Sequence, residues 1–149
     1  MVTPKTILLV EDNPDDEALT IRALRKAHVS NDIIVARDGA EALDYLFGTA
    51  AYEGRDLSHQ PQVILLDLKL PKIDGLQVLE KLRSDKRTEL IPVVILTTSK
   101  EEKDLIGGYS RGANSYVAKP VDFVEFTEAV KSLGMYWLLI NERPPFKRP

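Results

Sequence analysis

Residues 63–75 read VILLDLKLPKIDG, and this stretch decides the fold. Its first part, Val63–Leu66, has no polar alternation, which is typical of a strand buried on both faces in a parallel sheet covered by helices. The run ends at a carboxylate, Asp67, and a loop containing Pro71 and Gly75 follows. Parallel sheets of this kind bind ligands at the carboxyl ends of their strands. The stretch therefore indicates an α/β fold with Asp67 at its functional edge.

Composition predicts one domain spanning residues 1–149, with a formal net charge of -3. Because Lys and Arg are scattered through the chain and form no basic patch, we expect no direct binding to nucleic acid. The chain has no cysteine, which excludes disulfides and thiolate chemistry and fits a reducing compartment. No apolar run approaches the ~20 residues of a membrane span, and the N-terminus lacks the apolar core of a signal peptide. We expect a cytoplasmic protein that does not enter a membrane.

Short apolar runs alternate with amphipathic segments along the chain. The apolar runs predict strands at 6–10, 32–36, 63–66, 92–96 and 115–118. Apolar residues at helical spacing predict helices at about 15–27, 40–47, 74–84, 100–110 and 122–140. Right-handed crossovers then favour an open parallel sheet with helices on both faces.

Two segments depart from this alternation. Residues 48–61 form an inserted surface loop that is longer than the usual connection of ~2–6 residues. The last helix extends past the expected end of the sheet and is followed by a Pro-rich tail, together about 134–149. We expect the tail to be extended.

Side chains able to do chemistry follow four of the five predicted strands, namely Glu11, Asp12, Asp67, Thr97, Thr98 and Lys119, and the hydroxyl of either Thr97 or Thr98 could contact a bound phosphoryl group. In a doubly wound sheet these strand ends share one edge, where carboxylates repel one another unless a cation is present. Lys119 supplies one positive charge. Because no Cys exists and no His lies at a strand end, a hard divalent cation is favoured over zinc, and Mg²⁺ is the natural choice. Such a site suits phosphoryl transfer to an aspartate nucleophile.

Each of these residues also has a purely structural interpretation. A carboxylate at a strand end commonly caps the next helix, and Glu11 and Asp12 also fit an exposed acidic turn. Lys119 fits a solvated lysine. Tyr116, in the fifth strand, fits a packed core residue as well as it fits a conformational switch residue. The conjunction of these residues at one edge favours a functional site over a set of separate caps.

Four motifs in order resemble the response-regulator receiver domain (CheY-like), the phosphoacceptor half of two-component signalling. They are VEDNP at 10–14, LLDLKLPKIDG at 65–75, LTTS at 96–99 and YVAKP at 116–120. The resemblance covers essentially the whole chain. It implies a flavodoxin-like (βα)5 fold with strand order 2-1-3-4-5.

The resemblance also implies a metal site and a phosphorylated residue. Asp67 is then the phosphoacceptor, and Asp12 binds Mg²⁺ together with Asp67 and the backbone carbonyl of Lys69. Glu11 contributes through a metal-bound water. The family more often has Asp at this first acidic position, and the longer Glu keeps the charge.

A conformational switch is implied by the same resemblance. Thr97 supplies the hydroxyl that turns toward the phosphoryl group, Lys119 its ammonium partner, and Tyr116 the aromatic ring whose rotamer follows. Pro120 follows a cis peptide bond that aims the lysine inward. Lys69 and Ser99 stand where the family tunes autodephosphorylation, so the lifetime of the phosphoryl group is not readable from the sequence.

Two features are similar to the single-domain regulators paired with cyanobacterial and bacterial phytochromes. They are the insertion at 48–61 and the segment GMYWLLINERPP at 134–145. The resemblance therefore implies a sensor histidine kinase as partner, of the phytochrome type. It also implies a signalling protein that is not an enzyme beyond self-phosphotransfer and autodephosphorylation. Because the run Met135–Ile140 is apolar around nearly its whole circumference, it needs a partner surface, and we expect a homodimer.

Two other functions stay open on the sequence. One is an aspartyl-phosphate phosphohydrolase, although such enzymes generally have an acid two residues after the nucleophile, where this chain has Lys69. The other is a flavodoxin-like binding module whose site is vestigial. The joint presence of Asp12, Asp67, Thr97 and Lys119 argues against that second alternative.

Overall fold

The structure is a computed structural model, and it describes residues 6–97, 112–119, 124–125 and 127–128. The strands are β1 Thr6–Val10, β2 Asp32–Ala36, β3 Val63–Asp67, β4 Val93–Thr97 and β5 Ser115–Ala118. The helices are α1 Pro14–Lys26, α2 Gly39–Phe47 and α3 Gly75–Arg83, with a short 3-10 helix at Ala50–Tyr52.

All five strands pair in parallel in the order β2-β1-β3-β4-β5, which confirms the predicted topology. The register pairs Val10 with Leu66, so the residues that follow β1 emerge beside the end of β3. It also pairs Asp67 with Leu96. The carboxyl ends of β1, β3 and β4 therefore meet at one edge of the sheet.

The sheet is covered on both faces, as its unbroken apolar runs require. Alternate residues of β1 point to opposite sides: Ile7 and Leu9 belong to the core that includes α1, while Leu8 and Val10 belong to the core of α2 and α3. All five residues of β3 are buried. Each large apolar side chain of this strand contributes about 1.5–3 kcal/mol by burial.

The start of α1 is fixed by its cap. Asn13 Oδ1 accepts hydrogen bonds from the backbone N–H groups of Asp15 and Asp16, at 2.8 and 3.0 Å. Pro14 is the first helical residue, where the missing N–H costs nothing. Because of this cap the helix begins one residue before the predicted 15 and places Asp16 in its first turn.

Two glycines, the first residues of α2 and α3, lie so close to the backbone around the loop after β3 that neither position has room for a side chain. A Cβ on Gly75 would lie 2.2 Å from the carbonyl oxygen of Asp67, and a Cβ on Gly39 would lie 1.9 Å from that of Ile73. Neither glycine has a positive φ, so the requirement is close approach and not backbone conformation. These contacts hold the loop that follows Asp67 against the N-termini of α2 and α3.

Three strand boundaries differ from the predicted ones. β3 extends one residue further and includes Asp67, and β4 begins at Val93 and includes Thr97. Pro92 stays outside β4, because it has no N–H to donate to the ladder. Its carbonyl still accepts a hydrogen bond from Ile64 N–H at 2.9 Å.

The predicted irregular loop at 48–61 is in fact tied to α2. The guanidinium of Arg55 lies 3.9 Å from the ring centroid of Tyr45 and donates from Nε to the Tyr45 carbonyl at 2.6 Å. Gln60 Nε2 donates to the Leu46 carbonyl at 2.9 Å. The insertion therefore supplies hydrogen-bond donors to backbone carbonyls in the last turn of α2.

The predicted helix at 100–110 and the tail at 144–149 lie outside the described residues. Of the predicted helix at 122–140, residues 124, 125, 127 and 128 are described, and all four are helical. Among the helices of the described part of the chain, none has the length and apolar character needed to cross a membrane.

Candidate functional site

The structure brings three predicted acids together at the carboxyl edge of the sheet. Glu11, Asp12 and Asp67 each present a carboxylate oxygen, and these oxygens lie within 4.8 Å of one another. Glu11 is 0 % exposed and Asp67 is 5 % exposed, while Asp12 is open to solvent. The interpretation of Glu11 as part of an exposed acidic turn is therefore wrong.

Lys119 directs its ammonium into this cluster. Its Nζ lies 2.9 Å from Glu11 Oε1, 3.1 Å from Asp67 Oδ2 and 2.8 Å from Asp16 Oδ2. The lysine side chain is only 5 % exposed, so the interpretation as a solvated lysine is wrong. An ammonium has three N–H donors, and three acids surround this one.

Burial and charge shift two pKa values in this pocket. Burial raises the pKa of Glu11 to about 7; the hydrogen bond from Lys119 opposes the shift, and the charge of Asp67 adds to it. Burial alone would lower the pKa of Lys119, but its contacts with Asp16, Glu11 and Asp67 outweigh burial and raise that pKa. The lysine is therefore charged at neutral pH, whereas Glu11 exchanges its proton near neutrality.

The two carboxylate oxygens of Asp67 have different partners. Oδ1 accepts a hydrogen bond from the Lys69 N–H at 3.2 Å, and Oδ2 faces Lys119. Glu11 Oε2 accepts from the Asn13 N–H at 3.3 Å, which orients that side chain as well. Carboxylate oxygens in this number suit a hard divalent cation such as Mg²⁺ or Mn²⁺. The residues present therefore fit the metal that the sequence predicts.

The remaining predicted residues are placed only in part. Thr97 is the last residue of β4, immediately after the Leu96 that pairs with Asp67, and its side chain lies outside the described residues. Tyr116 lies in β5 with 43 % of its surface exposed, so the interpretation as a packed core residue is wrong. Pro120 and Ser99 lie outside the described part of the chain.

Asp16 is the residue of the site that sequence reasoning missed. An acid in the first turn of a helix is explained by the helix dipole alone, so nothing marked it as functional. One signal was available: Asp16 is the third residue of α1, and a side chain at that position commonly reaches back toward the cap and the strand end before it.

A doubly wound parallel sheet with a buried aspartate, an acidic cluster that fits a divalent cation and an inward lysine at its carboxyl edge suits proteins that transfer a phosphoryl group to a carboxylate. Residues 7–131 match the response regulator receiver domain, and the chain belongs to that family. The resemblance inferred from the four motifs is thus confirmed.

Several individual response regulators are similar to this chain in sequence or structure. A solved structure described as the bacteriophytochrome response regulator AtBRR is 51% identical, has a TM-score of 0.83, and is matched over 93% of this chain and 99% of that one. The "Probable methanogenesis regulatory protein FilR2" of Methanothrix harundinacea is 43% identical over 141 residues, 95% of this chain and 88% of the relative. Response regulator Rcp1 of Synechocystis sp. is 38% identical over 135 residues, 91% of this chain and 90% of the relative.

A structure of Rcp1 is described as its Mn²⁺-bound form, with a TM-score of 0.74 and 36% identity over 95% of this chain and 99% of that one. The chain is therefore a receiver-domain response regulator similar to phytochrome response regulators. It belongs to a signalling family, and the phosphohydrolase alternative is not favoured.

Proposed function

We propose that this protein is a stand-alone response regulator that accepts a phosphoryl group on Asp67 from the histidine of a sensor kinase. The reaction depends on Mg²⁺, and the phosphorylated protein changes conformation to signal to a partner. The observation that supports this most directly is the geometry of Asp67, whose nearly buried carboxylate lies in the acidic cluster and 3.1 Å from the Lys119 ammonium.

An oxygen of the Asp67 carboxylate attacks phosphorus, and the bond from phosphorus to the donor histidine nitrogen breaks, leaving neutral imidazole after proton uptake. Lys119 donates to the incoming phosphoryl oxygens and offsets their charge. The Lys69 N–H holds Asp67 Oδ1 in place at 3.2 Å. As the family resemblance implies, Asp12, Asp67 and the Lys69 carbonyl would hold Mg²⁺, with Glu11 reaching it through water, and the bound metal would offset the negative charge of the phosphoryl oxygens.

Three residues carry the response. Thr97, at the end of β4, turns its hydroxyl toward the phosphoryl group, and Tyr116 follows with a change of rotamer. The exposure of Tyr116 on β5 supports this, because a ring outside the core reorients without opening a cavity. Pro120 sets the direction of Lys119.

Intact mass spectrometry with Mg²⁺ and a small phosphodonor tests the central claim. We expect a stoichiometric, Mg²⁺-dependent gain of one phosphoryl group by the wild type and no gain by Asp67→Asn, because the amide is not a nucleophile. Asp74→Asn is the matched control: Asp74 is an aspartate in the same loop that caps α3, and we expect this variant to be phosphorylated normally.

Two outcomes contradict the proposal. Rapid multiple turnover of varied phosphate esters would indicate a phosphohydrolase. Absence of an adduct under any condition would indicate a vestigial binding module.

The similarity to bacteriophytochrome response regulators supports a kinase of the phytochrome type, in the cytoplasm, as the donor. The apolar run Met135–Ile140 supports a homodimer. We expect the protein to contact neither nucleic acid nor membrane.

A further inference from the structure

Asp16 contacts Lys119 but stands apart from the acidic cluster. Its Oδ2 lies 2.8 Å from the ammonium, which is the shortest of the three contacts that Lys119 makes with acids in the described part of the chain. The described acids whose oxygens converge tightly enough to hold a metal are Glu11, Asp12 and Asp67, and Asp16 is not among them.

This difference matters once a divalent cation enters the cluster. The cation attracts the carboxylates of Glu11 and Asp67, the other two acids bound to Lys119, and it repels the ammonium itself. Asp16 is then the one acid, among the described partners of Lys119, that lies outside the metal-binding cluster. It projects from the first turn of α1, whose start is fixed by the Asn13 cap.

We propose that Asp16 is a positioning residue that holds the Lys119 ammonium beside Asp67 while a divalent cation occupies the acidic cluster. Both cations then share the pocket, and the ammonium is in place when the phosphoryl group arrives. The inference rests on the proposed function, since it assigns a role in phosphorylation of Asp67.

A neighbouring acid supplies a matched control. Asp15 precedes Asp16 in the same helical turn, carries the same charge near the same helix N-terminus, and is exposed. The described ion-pair partners of Lys119 are Glu11, Asp16 and Asp67, and Asp15 is not one of them. Asp15→Asn and Asp16→Asn therefore remove the same charge, and only the second removes a contact with the lysine.

The test measures the phosphorylation rate from a small phosphodonor at saturating Mg²⁺, in the wild type, Asp15→Asn, Asp16→Asn and Asp16→Glu. Saturation separates the rate from any loss of Mg²⁺ affinity, and urea unfolding verifies that each variant is folded. We expect Asp16→Asn to react about fivefold more slowly than Asp15→Asn, the modest size reflecting a carboxylate that is 29% exposed. Asp16→Glu should recover at least half of the rate, because a longer carboxylate still reaches the ammonium.

The outcomes distinguish the two proposals. If the wild type is not phosphorylated, the proposed function itself fails. If the wild type reacts and the two Asn variants agree within about twofold, the positioning role of Asp16 is overturned while the function stands. If Asp16→Asn is slow and Asp16→Glu is equally slow, the carboxylate contact is not the cause, and the positioning role is again overturned.

Discussion

Glu11 shows what burial does to one carboxyl group in this protein. It follows β1 directly, is fully buried, and shares Lys119 with Asp67. Its pKa is raised to about 7, from an ordinary value of 4.5. A group with a raised pKa binds its proton more tightly in the folded state than in the unfolded state, so ionising Glu11 opposes folding.

The sign of this effect gives a prediction for the metal-free protein. The contribution of Glu11 to the free energy of unfolding is fully present below pH 4.5 and is lost as the pH rises through about 7. Wild type should therefore lose stability relative to Glu11→Gln over this range, by an amount on the order of 3 kcal/mol. Urea unfolding with a metal chelator, at about pH 5 and about pH 8, measures the difference between the two proteins. Parallel pH profiles for wild type and Glu11→Gln would contradict the assignment.

Individual residues of the site were predictable where the sheet alone determines their position. Parallel strands in register bring their carboxyl ends together, so Glu11, Asp67 and Lys119 had to converge once the strands were recognised. Asp16 was not predictable in the same way, because its partner lies 103 positions later in the chain and the contact depends on the exact start of α1. A first-turn acid is too common to be informative.

The end of α3 illustrates how one side chain joins several elements. The guanidinium of Arg83 donates to the carbonyls of Gly112, Glu89 and Ile91, at 3.0, 2.9 and 2.9 Å, and to Asn114 Oδ1 at 3.1 Å. It thereby connects α3 with the segments that precede β4 and β5. Burial lowers the pKa of this arginine, and no acid is among the partners that the structure describes for it.

Replacing Arg83 tests whether these contacts hold the elements together. We expect Arg83→Met to reduce the free energy of unfolding by about 2–3 kcal/mol, because several half-buried carbonyls lose a charged donor at once. Arg87→Met is the control, since Arg87 is exposed and its described contacts are an ion pair with Asp85 in the same loop and the Phe47 ring at 4.9 Å. Its loss should be below about 1 kcal/mol. Urea unfolding measures the free energy of unfolding of both variants. Equal losses of this free energy in the two variants would mean that the Arg83 contacts contribute little.

Element boundaries were predictable from periodicity to within one residue at most ends. Two of the one-residue differences have local causes: because of the Asn13 cap α1 begins one residue earlier than predicted, and because of Pro92 β4 begins one residue later. The defined conformation of residues 48–61 could not be predicted from the sequence. It depends on the contact of Arg55 with Tyr45 of α2 and not on any repeat in the loop itself.

The molecule as a whole is a sheet with two separate cores. The five apolar runs and the handedness of their connections predicted an open parallel sheet, whereas the strand order came from the resemblance to the receiver domain, and the structure has that order. The assembly state is a different matter. It depends on the apolar run Met135–Ile140, which lies outside the described residues, and it stays a prediction.

Sedimentation tests the expected homodimer. We expect a dimer at micromolar concentration that dissociates in Trp137→Glu, because a charge in the apolar run opposes its burial in an interface. Circular dichroism of the variant verifies that it is folded. A monomer at high micromolar concentration, both with and without phosphorylation, would overturn the dimer.

The pocket around Lys119 also determines how the protein acts at a distance. Glu11, Asp12, Asp16 and Asp67 set against one lysine leave three negative formal charges there, and the whole chain of 23 acidic and 20 basic residues carries a formal charge of -3. The remaining acidic and basic residues are thus equal in number. The formal net charge of the chain therefore equals that of the site, which attracts cations from solution and repels phosphorylated donors. Its own field therefore favours an order of arrival, with the metal ion first and the phosphodonor second.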